Sequence, residues 1–564
     1  MKLVLREYLA SLKERDELDA ILPDLLSELG LTVFSRPGRG TRQDGVDIAA
    51  VGCFEDDVER VYLLSVKSGD LTRTSWSGNS EQALRPSLEE ILDSYIPNRL
   101  PVEHRGKPIV ICLCFGGEIK EQVRPQVEGF LDRNSRDGVE FQEWHGDRLA
   151  DIILAGFLRE ELLPSNFQSS LRKSLALLDE PDVSCKYFSQ LISAILSNSE
   201  DKRTVLISLR QICICLWMLF SWCRRDNNLE AAYKAAELSL LHAWNVASES
   251  FNEKDKLSKQ IQSSFFSVFV VYDQITTELN SKIIPLAEVK HGMSKTVGLP
   301  CKVAVNFRMF DVLSRMAMHG LWFVFFSNQL TQGYDDMIEI LREKLRAQYS
   351  ALKQLIVNNP TLCSPFKDDQ AIDISLALLF LGFDRTNHYD LKEWLNEIVS
   401  LFEFSYIRHG RYTCNLHSYI DVLDHPLEST DSYREEMTAG SILLPFCAAF
   451  AAIFNFDDIY SKIQRIKEND LQHCNFQFWY PNKNSEERFY NDLGSHGSTF
   501  SGVPVEESKE DFLKVIFGEC EETDFFENMS AVKYNFLPII LLGCRHYRLP
   551  VPIQFLKILN ENLN

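Results

Sequence analysis

The chain of 564 residues is predicted to form an α/β domain built on a mixed β-sheet, followed by a large all-α region. Up to residue 165, short apolar and β-branched runs alternate with helical patterns, which is typical of a sheet covered by helices. From residue 166 onward, long apolar stripes follow helical spacing and period-two alternation is almost absent. Hydrophobic residues make up 45% and charged residues 25% of the chain, which are values of a globular protein.

A chain of this length exceeds one compact core, so we predict domains over residues 1–165 and 166–564. No membrane is expected as a partner, because apolar runs such as SILLPFCAAFAAIF and ICICLWMLFSW fall short of the roughly 18 residues of a membrane span. The 14 cysteines include no C-x-x-C pair and the amino terminus is charged. Both features indicate a reduced, cytoplasmic protein.

The elements of the first domain can be assigned in order. Residues 2–29 carry a helical stripe of leucines broken by the charged segment KERDE, and Gly30 ends it. LTVFSRP is predicted as a strand, and GVDIAAV and VYLLSVK form a hairpin across an acidic turn. A helix follows, then the strand KPIVICLCFGG, whose continuous apolar run predicts burial on both faces. Another helix, the strand VEFQEWH and a final helix complete the domain.

The second region has long helices joined by short polar breaks, which favours stacked helical pairs as in an α-solenoid. No fixed repeat signature accompanies them. Glycine loops of the P-loop or dinucleotide-binding type are absent from this half of the sequence. The segment beginning NFQFWYPNKN is predicted as a long surface loop, in which Phe478, Trp479 and Tyr480 either stack on a ligand or anchor the loop to the helices.

The residues that indicate chemistry are Asp47, at the start of one hairpin strand, and Lys67, at the end of the other. Such a pair can converge on one edge of a sheet. A carboxylate there can hold Mg²⁺ or Mn²⁺, and a nearby ammonium can stabilise charge building on a phosphate. The alternative is an ordinary hairpin in which Asp47 caps a turn and Lys67 is exposed.

GVDI followed by VKSGD resembles the Asp…x-Lys half of the PD-(D/E)XK motif, in the form carried by Mrr-type restriction endonucleases. The resemblance covers residues 1–165 and implies a restriction endonuclease-like fold, with Asp47 and Lys67 as catalytic residues. At the position two before the lysine, where the family has an acid or glutamine, this chain has Ser65, which is a weak metal ligand. A second metal-binding carboxylate is then expected from the first helix, where Glu17 and Asp19 are the candidates.

Contacts to phosphate or DNA are expected from side chains around this motif. The candidates are arginines just before Asp47 and just after Lys67, together with one glutamine that the resemblance to restriction-type nucleases implies: Arg36, Arg39, Arg42, Arg73 and Gln82. A net charge of −21 opposes a DNA-binding role, although a local basic loop can exist within an acidic total. The alternative interpretation of the arginines is a solvated loop.

Two functions follow from the sequence. The first is a Mg²⁺-dependent endonuclease acting on DNA, which by its resemblance belongs to bacterial defence against phage or foreign DNA. Its helical region would regulate cleavage, bind a partner protein or mediate self-assembly. The second is a catalytically degenerate nuclease fold that serves as a scaffold for binding nucleic acid or protein, which Ser65 and the net acidity favour.

Overall fold

The structure is a computed structural model that describes residues 2–12, 18–36, 43–54, 56–78, 83–136, 138–156, 167–197, 199, 201–296, 301–329, 335–408, 410–425, 430–491 and 497–563. The chain divides into two compact units. Unit 1 comprises Met1–Ser239 and Asp255–Val271, and unit 2 comprises Leu240–Lys254 and Tyr272–Asn564. The domain boundary expected between residues 165 and 166 lies outside the described residues and stays a prediction.

A mixed five-stranded sheet forms the centre of the amino-terminal region, as the sequence predicted. Its strands are β1 (Thr32–Ser35), β2 (Ile48–Gly52), β3 (Arg60–Lys67), β4 (Ile109–Phe115) and β5 (Val139–Trp144), in that spatial order. The first three strands pair antiparallel, whereas β3, β4 and β5 run parallel. Parallel neighbours need crossover connections, and the helices of the predicted α/β alternation supply them.

Within the described residues, six α-helices accompany this sheet. They are α1 (Lys2–Ser11), α2 (Asp19–Glu28), α3 (Arg73–Ser77), α4 (Leu84–Glu90), α5 (Arg124–Asn134) and α6 (Gly146–Gly156). The leucine stripe predicted over residues 2–29 is therefore divided between two helices. Helix α4 continues as a π-helix over Ile91–Arg99. Helix α1 packs against α6, α2 packs against β1 and β2, and α4 packs against β3.

One face of the sheet carries a continuous apolar core. Val61 and Leu63 of β3 and Ile111 of β4 belong to it, together with Leu88 of α4 and Val127 of α5. Every residue of β4 is buried, which confirms the expectation of a strand covered on both faces. Since both faces of β4 are covered, its sequence from Ile109 to Phe115 contains no charged residue.

The rest of the chain is mostly helical, as predicted. Its helices are α7 (Phe167–Ala176), α8 (Pro181–Leu196), α9 (Lys202–Arg225), α10 (Glu230–Ala247), α11 (Lys256–Ala287), α12 (Gly292–Thr296), α13 (Lys302–Gln329), α14 (Asp335–Asn358), α15 (Ala371–Gly382), α16 (His388–Ile407), α17 (Tyr419–Asp424), α18 (Asp431–Met437), α19 (Leu443–Ile453), α20 (Asp457–Asn469), α21 (Ser485–Arg488), α22 (Lys509–Glu519), α23 (Phe525–Asn528), α24 (Ser530–Lys533), α25 (Pro538–Tyr547) and α26 (Gln554–Leu563).

Helix α9 is the one helix within the described residues that is long and apolar enough to cross a membrane by length and composition. The sequence had suggested only shorter apolar runs. Of its most apolar 18-residue stretch, 83% is buried inside the protein. This burial is what a core helix of a soluble protein shows.

The prediction of an all-α second region was wrong in one respect, because a small sheet lies within it. Strands β6 (Gly440–Ser441), β7 (Asn475–Pro481) and β8 (Gly497–Ser501) form a three-stranded sheet in that spatial order. Strand β7 is the segment predicted as a surface loop, and it buries Phe478 completely. Trp479 and Tyr480 are partly exposed. The aromatic residues therefore anchor this segment, which was one of the two interpretations.

All 14 cysteines are free, and most are buried. Burial raises the pKa of Cys215 and Cys447 strongly. Cys53, just after β2, is exposed. Cys301, just before α13, has a lowered pKa because the Tyr419 side chain and backbone N–H groups hydrogen-bond to its sulfur.

The contact of α1 with the end of β4 depends on Gly116. A Cβ atom at this position would lie 1.9 Å from the carbonyl oxygen of Leu9. Because that obstacle is backbone, Gly116→Ala should destabilise unit 1 by about 1–3 kcal/mol and lower its thermal unfolding midpoint by several degrees. In the control variant Gly129→Ala, the added methyl meets only the flexible end of Arg133 at 3.3 Å. Equal midpoints for the two variants would contradict this account of α1.

Candidate functional site

A tight turn leads the chain into β2 and positions Asp47. Asp44 and Gly45 have positive φ values of 46° and 82°. The Asp44 carboxylate forms an ion pair with Nε of Arg99 at 2.5 Å, which connects the turn to the π-helix. A Cβ atom on Gly45 would lie 2.0 Å from the carbonyl oxygen of Ser87. Only glycine therefore combines the required backbone conformation with this close approach.

The carboxylate of Asp47 is hydrogen-bonded to β3. Its Oδ2 atom accepts a hydrogen bond of 2.7 Å from the backbone N–H of Val66, and the Asp47 N–H donates to the carbonyl oxygen of Leu64 at 2.9 Å. The side chain thus replaces a backbone acceptor at the point where regular pairing of β2 with β3 stops at Ile48. These bonds hold Asp47 against the segment that contains Ser65 and Lys67.

Ser65 and Lys67 lie two residues apart on β3 and share one face of the sheet. Ser65 is 1% exposed, and its Oγ has no hydrogen-bond partner within the described parts of the chain. Lys67 is 9% exposed, which is uncommon for a lysine. The interpretation of Lys67 as an ordinary exposed hairpin residue is therefore wrong. A carboxylate, a buried hydroxyl and a buried ammonium occupy neighbouring positions where β2 begins and β3 ends.

The charge of Asp47 also acts on the neighbouring strand. Cys114 of β4 is paired in register with Val66. Burial raises the pKa of the Cys114 thiol well above its ordinary value, and Asp47 adds to this increase. The negative charge of Asp47 therefore influences a buried thiol of the sheet. Charge interactions are stronger in such a low-dielectric interior than at the surface.

The other predicted metal ligands are only partly described. Asp19 is the first residue of α2, the helix that packs against β1 and β2, and its Oδ1 is buried. Glu17 lies outside the described residues. No group of three or more Asp, Glu, His or Cys side chains suited to a metal ion occurs within the described ranges. Mg²⁺ commonly uses one or two carboxylates with water and phosphate oxygens, so Asp47 and Ser65 fit one side of such a site.

Of the residues expected to contact phosphate, two belong to the described part of the chain and three lie outside it. Arg36 is exposed after β1, and its carbonyl oxygen accepts a hydrogen bond from Gln43 at 3.3 Å. Arg73 is exposed in the first turn of α3. Arg39, Arg42 and Gln82 lie outside the described residues. Neither described arginine is in a hydrogen bond with Asp47 or Lys67, and their role as DNA contacts stays a prediction.

A cavity of about 380 Å³ opens where the parallel strands end. Its charged lining residues are Arg6, Asp70, Glu118, Lys120 and Asp147. Lys120 forms an ion pair of 2.6 Å with Asp70, and Arg6 forms one of 3.0 Å with Asp147. Crevices at this edge of parallel sheets commonly bind ligands. Here the carboxylates outnumber the cations, so the cavity does not provide a basic surface for DNA.

Unit 2 contains a separate cavity of about 510 Å³ that the sequence did not indicate. Asp368 lies in its wall and accepts hydrogen bonds from Ser441 Oγ and the Ile442 N–H, each at 2.7 Å, so that it caps α19. Arg548 also lines the cavity and donates two hydrogen bonds to Asp373, at 2.8 and 2.9 Å. Five distant segments of the chain contribute to this lining, and no local motif could have revealed it.

Comparison with known proteins finds no family model, no curated protein and no solved structure that matches this chain. The resemblance around Asp47 and Lys67 therefore rests on the residue pattern and on the strands that carry it.

The bond between Asp47 and Val66 predicts a stability effect that is separate from any catalytic role. Asp47→Ala removes the acceptor of a buried N–H, which costs about 1–3 kcal/mol. Hydrogen–deuterium exchange at the Val66 amide should accelerate about tenfold or more. Asp47→Asn keeps an acceptor oxygen and should restore most of the protection. The exposed turn variant Asp57→Ala is the control, and equal exchange in Asp47→Ala and wild type would rule out the bond.

Asp368 predicts a pH dependence of stability. Burial raises the pKa of its carboxyl from 3.8 to about 6, against the opposing effect of its hydrogen bonds. Between these values the folded state retains a proton that the unfolded state has released, so the group's stabilising contribution falls as pH rises from 4 to 6. We subtract the thermal unfolding midpoint of Asp368→Asn from that of wild type at each pH. This difference should therefore decrease between pH 4 and pH 7. A constant difference over this range would contradict the shift.

Proposed function

We propose that the amino-terminal α/β domain is a metal-dependent endonuclease that cleaves DNA phosphodiester bonds, and that the helical region regulates it. The observation that carries the proposal is the hydrogen bond from Val66 to the Asp47 carboxylate. This bond joins the Asp47 carboxylate to the residue immediately before Lys67. The resemblance to Mrr-type nucleases implies the same neighbourhood of an aspartate on one strand and a lysine on the next. The order of the elements also supports a restriction endonuclease-like sheet: helices come first, then antiparallel strands, then parallel strands joined by crossover helices.

In this proposal each side chain has a distinct task. Asp47 would hold Mg²⁺ or Mn²⁺, with Glu17 or Asp19 as the second carboxylate. A bound divalent cation supplies Lewis-acid stabilisation of phosphate charge and lowers the pKa of a bound water. The ammonium of Lys67 would neutralise charge that develops on the phosphate and orient the attacking water. The Oγ of Ser65, which lacks a described partner, can donate a hydrogen bond to a water or phosphate oxygen at the same place.

Binding of the DNA backbone would rest on local positive charge, since the chain as a whole has a net charge of −21. Arg36, Arg39 and Arg42 before β2 and Arg73 after β3 would contact phosphates, with Gln82 beside them. We assign the protein to cytoplasmic defence of bacteria against phage or foreign DNA, on the domain pairing that the resemblance implies. A partner protein or self-assembly through the helical region would release the activity when needed.

A second function is favoured by one specific observation. Ser65 occupies the position where a nuclease of this type has an acid or glutamine, and the described residues contain no group of three metal-binding side chains. A fold that has lost its metal site would act as a scaffold for nucleic acid or protein. The two functions differ in whether Asp47 binds a divalent cation.

The test compares cleavage of supercoiled plasmid in Mg²⁺ and in Mn²⁺ by wild type, Asp47→Asn and Lys67→Met. Wild type should nick or linearise the plasmid, and each variant should lose about a hundredfold or more of the rate, because each lacks a charge needed in the transition state. Asp57→Asn in the β2–β3 turn and Lys107→Met before β4 are the matched controls, and both should retain the wild-type rate.

Equal cleavage by wild type and the two site variants would refute the assignment of the site. Calorimetric titration with Mn²⁺ separates the two functions when no cleavage occurs. Binding that disappears in Asp47→Asn supports the nuclease, whereas no binding by any of the proteins supports the scaffold.

A further inference from the structure

The cavity of about 510 Å³ in unit 2 has no part in the proposed nuclease chemistry, because its lining residues all belong to unit 2. Its volume lies within the range of about 300–1,000 Å³ that is usual for small-molecule sites. There is room for roughly seventeen water-sized groups, since a water takes up about 30 Å³. The chemistry of the lining indicates which kind of ligand fits.

One wall of the cavity is a face of the small sheet. Asn475 and Gln477, two residues apart on β7, share this face, and Phe476 between them is buried on the opposite face. Gly440 of β6 pairs with Asn475 and also lines the cavity. A Cβ atom on Gly440 would lie 3.2 Å from Nε2 of Gln477. The Gln477 amide therefore borders the space that Gly440 leaves open.

Polar side chains of the lining have hydrogen-bonding capacity that the protein does not use. Within the described parts of the chain, the side chains of Gln477, Asn415 and His417 form no hydrogen bond. Asn475 uses its Oδ1 atom, which accepts a hydrogen bond of 3.0 Å from the Gly502 N–H. A side-chain amide offers both donors and an acceptor, and a neutral imidazole offers one of each. The cavity thus presents donors and acceptors together.

The charged groups of the lining, in contrast, already have partners. Asp369 forms an ion pair of 2.9 Å with Lys367, and Arg548 donates two hydrogen bonds to Asp373. The Asp368 oxygens accept the hydrogen bonds that cap α19. A ligand anion would compete with Asp373 for the guanidinium, and a ligand cation would compete with Lys367 for Asp369. These pairings favour an uncharged ligand.

Aliphatic side chains complete the lining, namely Ile372, Leu416, Ile442 and Pro550. No Phe, Tyr or Trp is among the described residues that line the cavity, so a flat aromatic ligand has none of these rings to stack on. A saturated ring can instead pack its C–H faces on aliphatic groups.

We propose that this cavity binds an uncharged, hydroxyl-rich ring compound of monosaccharide size. Its hydroxyls would bond to the amides of Gln477, Asn475 and Asn415, and its C–H faces would pack on the aliphatic side chains. A hydroxyl both donates and accepts, so it matches each function of a side-chain amide. A hexose has about twelve non-hydrogen atoms, which leaves space in the cavity for several bridging waters.

Isothermal titration calorimetry on the full chain at pH 7 tests the proposal with D-glucose, D-galactose and D-mannose. At least one of these hexoses should bind with a Kd of about 1 mM or lower. The cationic 2-amino-2-deoxy form and the anionic uronate form of the hexose that binds should each bind at least fivefold more weakly. Absence of binding by all three hexoses would overturn the proposal, and so would a charged form whose affinity falls by less than fivefold.

Variants locate the binding. Gln477→Ala should weaken the hexose at least fivefold and Asn415→Ala about threefold or more, because each removes a hydrogen-bonding amide. Both side chains are partly exposed, so these variants should fold. Gly440→Val, which fills the space beside the Gln477 amide, should abolish binding. Thr499→Ala, at an exposed position of β8 in the same sheet, is the matched control. Wild-type affinity in both Gln477→Ala and Asn415→Ala would refute the site.

The measurement needs neither DNA nor a divalent cation, so its result is independent of nuclease activity. Asp47→Asn should bind the hexose as wild type does. Failure of the nuclease assay with intact hexose binding, or the reverse, therefore distinguishes the two proposals.

Discussion

Burial of β4 on both faces is the constraint on which the amino-terminal sheet depends. The strand has parallel neighbours on both edges, and none of its residues from Ile109 to Phe115 is solvent-exposed. Polar side chains cannot be accommodated along it without partners. Asp47 lies just before β2 and Lys67 is the last residue of β3, so both lie at strand ends beside this core. The location of the candidate site is thus a consequence of how the core is filled.

In unit 2, buried charged side chains form ion pairs that join different helices. Arg315 of α13 is 1% exposed and forms an ion pair of 2.7 Å with Asp311, which also contacts Arg545 of α25 at 2.5 Å. The Arg548 guanidinium holds Asp373 of α15 in the same way. Buried charges tolerate only arrangements in which each has its partner. Such a network adds little net stability, but it restricts how α13, α15 and α25 can pack.

Much of the amino-terminal fold could be predicted because its strands have simple hydrophobic patterns. VYLLSVK and KPIVICLCFGG are apolar runs flanked by polar turns, and both form strands close to the expected bounds. The small sheet of unit 2 was missed, although Phe476 and Phe478 alternate with more exposed residues. One partner strand of β7, β6, has two residues and lies far away in sequence, and the other, β8, is the short polar run GSTFS. Long-range pairing of this kind leaves no local pattern.

The candidate site was predicted from its residues, but its environment could not be. A D…xK pattern singles out Asp47 and Lys67, and the hairpin explains why the Asp47 carboxylate reaches the residue before Lys67. The pattern does not reveal that Lys67 is nearly buried, nor that the Asp47 carboxylate replaces a backbone acceptor for Val66, since both depend on the packing of neighbouring strands. The cavity lined by Asp368 depends on segments that only the folded chain brings together.

The distribution of thiols gives this protein a selective reactivity. Thiolates react with electrophiles, so buried cysteines with raised pKa are slow to modify. Cys53 is exposed and belongs to unit 1, whereas Cys301 has a lowered pKa and belongs to unit 2. Dyes attached through these two sulfur atoms would therefore form a donor–acceptor pair with one member in each unit. Energy transfer between them offers a spectroscopic ruler for the distance between the units as DNA, metal ions or a partner protein are added.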